Sequence, residues 1–211
     1  MKIIYGTTNQ AKLQAMYGIK KSYGFDAELY TLKDIGFTDE IIEDGTTFEE
    51  NSLIKARAIQ EYCKNNGIED KIILTDDAGL CVDYLNGAPG IYTGRYAGDH
   101  APQIDNINKL LENMKGCTKL EDRSCKLVCV LTAIMTDGEV FVARGECTGT
   151  IAFEHGKLGG LTFGPVFIPK GFDKPMGDME EKEYISVHNH RDLAMNELMA
   201  KFKELGYIGL K

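Results

Sequence analysis

The sequence predicts an α/β fold built on a mixed β-sheet, and three observations carry that expectation. Short apolar runs alternate with helix-period segments early in the chain, the pattern of local βα units. Two long strand-like runs then flank Thr136-Asp137-Gly138, a hairpin signal that brings antiparallel pairing into the sheet. With 211 residues, 43% of them hydrophobic and 27% charged, one large domain or two closely packed lobes fit the size and can bury a substantial core.

Taken in order, KIIYG at 2–6 reads as a short strand ending in glycine. The polar turn TTNQ then opens an amphipathic helix over about 9–21, with Leu13, Met16 and Ile19 at helical spacing. A strand is expected at 27–31, and 38–46 is a loop rich in acids. Thr46 with Glu49, or Thr47 with Glu50, has the capping-box spacing that starts a long helix over about 47–66. The run at 71–85 reads as a buried strand, an acidic turn at Asp76-Asp77, then a second short strand. A helix at about 102–115 carries Ile104, Ile107, Leu110 and Leu111 on one face, and strands follow at 125–136 and 139–150. Residues 155–165 are glycine-rich, FGPVFIP makes a strand stopped by proline, 173–184 is a polar stretch, and a last helix covers about 190–205.

The composition excludes several classes of function. A net charge of −8 disfavours a protein that grips nucleic acid through its phosphates, although a metal ion can offset the charge around a small phosphorylated substrate. No apolar run approaches a membrane span, and MKIIYGTTNQ turns polar too soon for a secretory leader, so a cytoplasmic protein is expected. The six cysteines include no C-x-x-C pair and read as reduced structural thiols.

Three constellations have chemistry to offer. In GTTNQAK (6–12), a helix N-terminus presents unpaired N–H groups to an anion, Thr7, Thr8 and Asn9 add side-chain donors, and Lys12 can reach back to a phosphate. The alternative is an ordinary capped helix with a solvated lysine. Asp76 and Asp77 are adjacent carboxylates where a buried strand meets glycine, and Glu43 lies in the acidic loop. Such oxygen-rich groups suit Mg²⁺, which takes one or two carboxylates plus substrate phosphate and water. The alternative is a solvated acidic turn. The third set is basic: Lys55 in the long helix, then Lys182, His190 and Arg191. The pair His188 and His190, without cysteine or H-E-x-x-H nearby, is a poor zinc site.

The order of these segments is more specific than any one of them. Thr7-x-Asn9-x-x-Lys12, then EDGTTFEENSLIKA at 43–56, DDAGLCVDYLNGAPGIYTGRYAG at 76–98 and His190-Arg191 closely resemble the inosine triphosphate pyrophosphatase family, the dITP/XTP pyrophosphatases, nearly end to end. The resemblance implies an elongated α/β fold of two lobes around a central nucleotide cleft, usually as a homodimer. It further implies Mg²⁺-dependent cleavage of a purine triphosphate to the monophosphate and pyrophosphate. Carried over, Thr7 to Lys12 hold triphosphate oxygens, Glu43 and Asp77 bind Mg²⁺ with Asp76 beside them, Lys55 contacts phosphate, Asp77 is the general base, and Lys182, His190 and Arg191 close over the purine.

Three departures stand out. The family's D-S-G-L is Asp77-Ala78-Gly79-Leu80, which removes a hydroxyl from the substrate-facing Ala78 position. Its base clamp F-G-[YW]-D-P is reduced to Phe163-Gly164-Pro165, and K-x-x-x-S-H-R is stretched between Ser186 and His190. The expectation is therefore intact phosphate chemistry with altered base selectivity. The competing expectations are a nucleotide-binding sensor without turnover, and a pyrophosphatase for another modified nucleotide.

Overall fold

The apolar run Lys2–Tyr5 forms strand β1 in the computed structural model, which describes residues 2–9, 12–13, 16–18 and 27–207. It joins β2 (Glu28–Thr31), β3 (Ile72–Val82), β4 (Ser124–Ile134), β5 (Val140–Ile151) and β6 (Phe167–Pro169) in one sheet, ordered β2-β1-β3-β4-β5-β6. β1 runs parallel to both neighbours, with Tyr5 opposite Thr31 and Leu74, while β5 and β6 are antiparallel, with Ile151 opposite Phe167. The sheet is mixed, as the sequence predicts. The helices are α1 (Phe48–Asn65), α2 (Gln103–Asn113), α3 (Glu181–Ser186) and α4 (His190–Glu204). Residues 12–13 and 16–18 are helical, and the rest of the helix expected over 9–21 lies outside the described residues.

The chain divides into two compact units. The first takes Met1–Asp77, Val130–Arg144 and Ala194–Lys211. Its core joins Ile4, Ile73 and Ile134 from the sheet to Ala56, Ile59 and Cys63 of α1, which recur at the helical spacing that buries one stripe. Phe37 meets the edge of the Tyr62 ring, with centroids 5.0 Å apart. Glycine is required at position 6, because a Cβ there would lie 2.7 Å from Thr75 Cγ2 and collide with Ile59. The helix can approach the end of β1 only if that side chain is missing.

The start of α1 combines the two capping pairs read from the sequence. Thr47 is the N-cap and its hydroxyl accepts from Glu50 N, 3.1 Å away. The Glu50 carboxylate reaches back to Thr46 N (2.6 Å) and Thr46 Oγ1 (2.8 Å), and these bonds, the backbone one foremost, hold Glu50 below the usual carboxylate range. At the hairpin, Gly138 N donates to Met135 O at 3.0 Å, with Gly138 at φ 90°, the positive φ for which glycine is suited.

One expectation needs correction. Asp76-Asp77 is not a turn between two strands: β3 runs unbroken from Ile72 to Val82 and carries both acids in its middle. The strand tolerates them because Asp76 has buried polar partners, described below. The polar stretch at 173–184 runs into α3, a short helix that the sequence pattern does not place, where Glu180 and Glu183 form a reciprocal capping box. Acids that look like loop composition act there as caps.

The second unit takes Ala78–Cys129 and Gly145–Leu193. Its core collects Leu80 and Val82 of β3, Ile107 and Leu110 of α2, and Ile151, Phe163 and Phe167. Arg123, only 2% exposed, runs through it as a cation surrounded by backbone oxygens. Its Nε donates to Ile151 O at 2.7 Å, Nη1 to Cys117 O at 2.8 Å and Met114 O at 3.3 Å, and Nη2 to Ala152 O at 3.0 Å. The guanidinium thereby ties the end of α2 to the end of β5, and it stacks 4.6 Å from the Phe153 ring centroid. No helix among the described residues is long and apolar enough to cross a membrane, and none of the six cysteines forms a disulfide.

Because the Arg123 guanidinium donates to four carbonyls in the core, Arg123→Met is expected to destabilise the protein by about 3 kcal/mol, the scale of buried acceptors losing charge-assisted donors. A guanidinium chloride unfolding midpoint measured on both proteins checks this.

Candidate active site

Successive residues of a strand point to opposite faces, so β3 sends Asp76 and Asp77 in opposite directions. Each meets a lysine. On one face, Asp76 Oδ2 lies 2.7 Å from Lys12 Nζ, and Asp76 Oδ1 accepts from Tyr5 Oη at 3.0 Å. On the other, Lys55 Nζ lies 2.8 Å from Glu43 Oε2 and 3.8 Å from Asp77 Oδ1. All of these residues belong to the first unit.

Local structure explains how each group is delivered. Gly6 to Asn9 is the turn that leaves β1. Thr7 Oγ1 accepts from Asn9 N at 3.2 Å, and Asn9 caps the following helical segment, its Oδ1 accepting from Lys12 N at 3.3 Å. The capped-helix reading is therefore what the Asn9 side-chain oxygen does, and the cap brings Lys12 one turn along to Asp76. Thr7 is buried and Thr8 exposed. Glu43 is held by the loop behind it: Gly45 N donates to the buried Asn51 Oδ1 at 2.9 Å. A Cβ at Gly45 would lie 2.7 Å from that same oxygen, so the loop depends on glycine to lie against α1. Lys55 follows Asn51 by four residues, one turn along the same helix. A buried contact between Ser52 and Thr75, 3.2 Å between hydroxyls, joins α1 to β3 beside them.

Of the sequence candidates, the structure thus brings Glu43, Lys55 and Asp77 together, and brings Lys12 to Asp76. Asp76 is not on the face of the strand that carries Asp77. Sequence reasoning missed Tyr5, whose aromatic ring reads as one more apolar strand residue, and Asn51, whose helix position gave no sign of its loop contact.

The remaining candidates belong to the second unit. Ala78 is half-buried in β3. Phe163 is 1% exposed inside the core, its ring edge-on to Tyr96 with centroids 6.5 Å apart. Gly164 lines a cavity of about 300 Å³ together with Leu158, Leu161, Met176, Gly177 and Tyr184. Lys182 is exposed on α3. Asn189 caps α4, its Oδ1 accepting from Arg191 N (2.9 Å) and Asp192 N (3.1 Å). Next to that cap His190 is buried, whereas His188 is exposed, an arrangement unlike a shared metal site. Arg191 Nη1 lies 3.8 Å from Cys129 Sγ.

Two carboxylates gathered on one cationic nitrogen form an oxygen donor set that fits Mg²⁺. Among the described residues no three His, Cys, Asp or Glu side chains cluster as a cage, and an ion that completes its shell with substrate phosphate and water needs none.

The Ham1 family profile matches residues 3–201. A dITP/XTP pyrophosphatase of Clostridium perfringens is 38% identical over 202 residues, covering 96% of this chain and 97% of the relative. That of Bacillus subtilis is 36% identical over 197 residues, covering 92% and 93%. Among solved structures, the Ham1 protein of Staphylococcus aureus superposes with a TM-score of 0.82 at 30% identity, over 97% of this chain and 99% of that one. A HAM1 protein from Coxiella burnetii gives 0.82 at 28% identity over the same shares.

Asn51→Ala removes the acceptor that fastens the Glu43 loop, and an expected loss of about 1 kcal/mol follows from one buried hydrogen bond. Thermal unfolding of the two proteins side by side measures it.

Proposed function

This chain belongs to the Ham1 family, and we propose that it hydrolyses nonstandard purine nucleoside triphosphates, ITP, dITP and XTP, to the monophosphate and pyrophosphate. The observation that carries the proposal is the Glu43–Lys55–Asp77 cluster, whose two carboxylates and one lysine suit attack by water on a phosphate beside a divalent metal. The relatives named dITP/XTP pyrophosphatase, matched over nearly their whole length, support the substrate class.

In the proposed reaction Glu43 and Asp77 would hold Mg²⁺, which when bound offsets the negative charge of the triphosphate. Asp77 orients a water and takes its proton as the oxygen bonds to phosphorus. The bridge between the first and second phosphates breaks, its electron pair leaves with pyrophosphate, and the Lys55 ammonium offsets the charge that develops there. Thr7, Thr8, Asn9 and Lys12 hold the phosphate oxygens. Lys182, His190 and Arg191 read the purine. In a fully clamped site, donors aimed at a 6-keto oxygen face an amino group when adenine enters, and that mismatch is the source of selectivity. A homodimer in the cytoplasm completes the proposal.

Base selectivity in this reading is weaker than intact clamp residues would give. Phe163 is buried in the core of the second unit, and Gly164 is followed directly by Pro165, without the aromatic residue and aspartate of the family's clamp. GTP and ATP are therefore proposed to be cleaved at rates comparable with ITP.

The decisive measurement is pyrophosphate release with Mg²⁺ across ITP, XTP, dITP, GTP, ATP, CTP and UTP. Turnover is expected, and Asp77→Asn is expected to lower it by about 10³-fold, within the range for loss of a general base. Binding of nucleotide without turnover favours a sensor. A sharp preference for ITP and XTP over GTP and ATP removes the claim of weakened selectivity and leaves the chemistry intact.

A further inference from the structure

The buried carboxylate of Asp76 is 0% exposed in its side chain, against 13% for Asp77 and 29% for Glu43. A Mg²⁺ ligand in this class of site must share its ion with water and substrate phosphate, which requires an open approach. Asp76 has none, and its two oxygens already receive Lys12 Nζ and Tyr5 Oη. The strand register explains why Tyr5 is there. Tyr5 pairs with Leu74 across the parallel strands, and Asp76, two residues beyond Leu74, emerges on the same face.

We propose that Asp76 and Tyr5 are positioning residues that fix the Lys12 ammonium for the phosphate chain, and that Asp76 does not ligate the metal. This rests on the function proposed above. A lysine is a point charge on a flexible four-carbon stem, with about 2 kcal/mol of rotamer entropy to lose when it is held. Asp76 takes one of its three N–H donors and removes that freedom before substrate arrives. Two donors stay available for phosphate oxygens. Tyr5 in turn holds the carboxylate from behind, so that it presents Oδ2 to the lysine. The pair does for Lys12 what Glu43 and Asp77 do for Lys55 on the opposite face of β3.

The test uses the full chain and inorganic pyrophosphate as the probe, with binding measured calorimetrically in EDTA and, separately, Mg²⁺ titrated alone. Asp76→Asn and Lys12→Met are each expected to weaken pyrophosphate binding about tenfold, the loss of one well-aimed charge-assisted contact, and Tyr5→Phe about threefold. The double variant Lys12→Met with Asp76→Asn is expected to bind no more weakly than Lys12→Met, because Asp76 acts through the lysine. Mg²⁺ affinity is expected to be unchanged in Asp76→Asn. Additive losses, a weakened Mg²⁺ affinity, or tighter pyrophosphate binding in Asp76→Asn (a lysine released from its counter-charge) each overturn the proposal. Thermal unfolding verifies that the variants are folded. If Asp76→Asn is not, the Tyr5→Phe and Lys12→Met pair serves for the same cycle. A wild-type protein that binds no pyrophosphate, or binds it with indifferent variants, overturns positioning by Asp76 and Tyr5, whereas the triphosphate reading falls only with the turnover measurement in Mg²⁺.

Discussion

Two consecutive carboxylates in the middle of a buried strand form the constraint around which the first unit is arranged. Removing a carboxylate from water costs several kcal/mol unless charge and hydrogen bonds replace the solvent. The alternation of the strand doubles the demand, because Asp76 and Asp77 face opposite sides and cannot share a partner. Each side supplies its own lysine: Lys12 from the helical segment that follows the turn after β1, and Lys55 from α1. The glycines at 6 and 45 follow from this. One admits α1 against β1, and the other lets the Glu43 loop lie against the first turns of α1.

The second unit solves the converse problem. Arg123 is a buried cation held by four backbone oxygens, and burial lowers the pKa of its guanidinium from the ordinary value. The group stays charged because guanidinium is too basic to give up its proton. Its planar fork suits several carbonyls that converge where α2 and β5 end. The strand end so fixed leads to β6 and to Phe163, which packs into the same core. The segment that the sequence marks as a base clamp is therefore shaped by core packing.

Legibility differed by the range of the interaction. The α1 cap, the Gly138 hairpin and the α4 boundary depend on residues within a few positions of one another, and local patterning marked all three. The mixed sheet followed from element order. The misreadings came from long-range contacts. Asp76 and Asp77 suggested a turn because an isolated acid pair rarely sits in a strand interior; Tyr5, 71 positions away from Asp76, and the lysines Lys12 and Lys55 compensate the charges. Asn51 gave no hint in its helix, because its partner is a backbone N–H of the preceding loop. Phe163, a residue of the shortened clamp motif, lies in the core.

The sequence by itself determined the fold class, the family and the residue types available for phosphate chemistry, because helix periodicity, turn residues and motif order are local properties of the chain. Tertiary structure alone decided the allegiance of those residues: Lys55 with Glu43 and Asp77, Lys12 with Asp76 and Tyr5, Phe163 with the core. Strand parity and register separate neighbours in sequence and join residues far apart, and neither is fixed until the sheet is assembled.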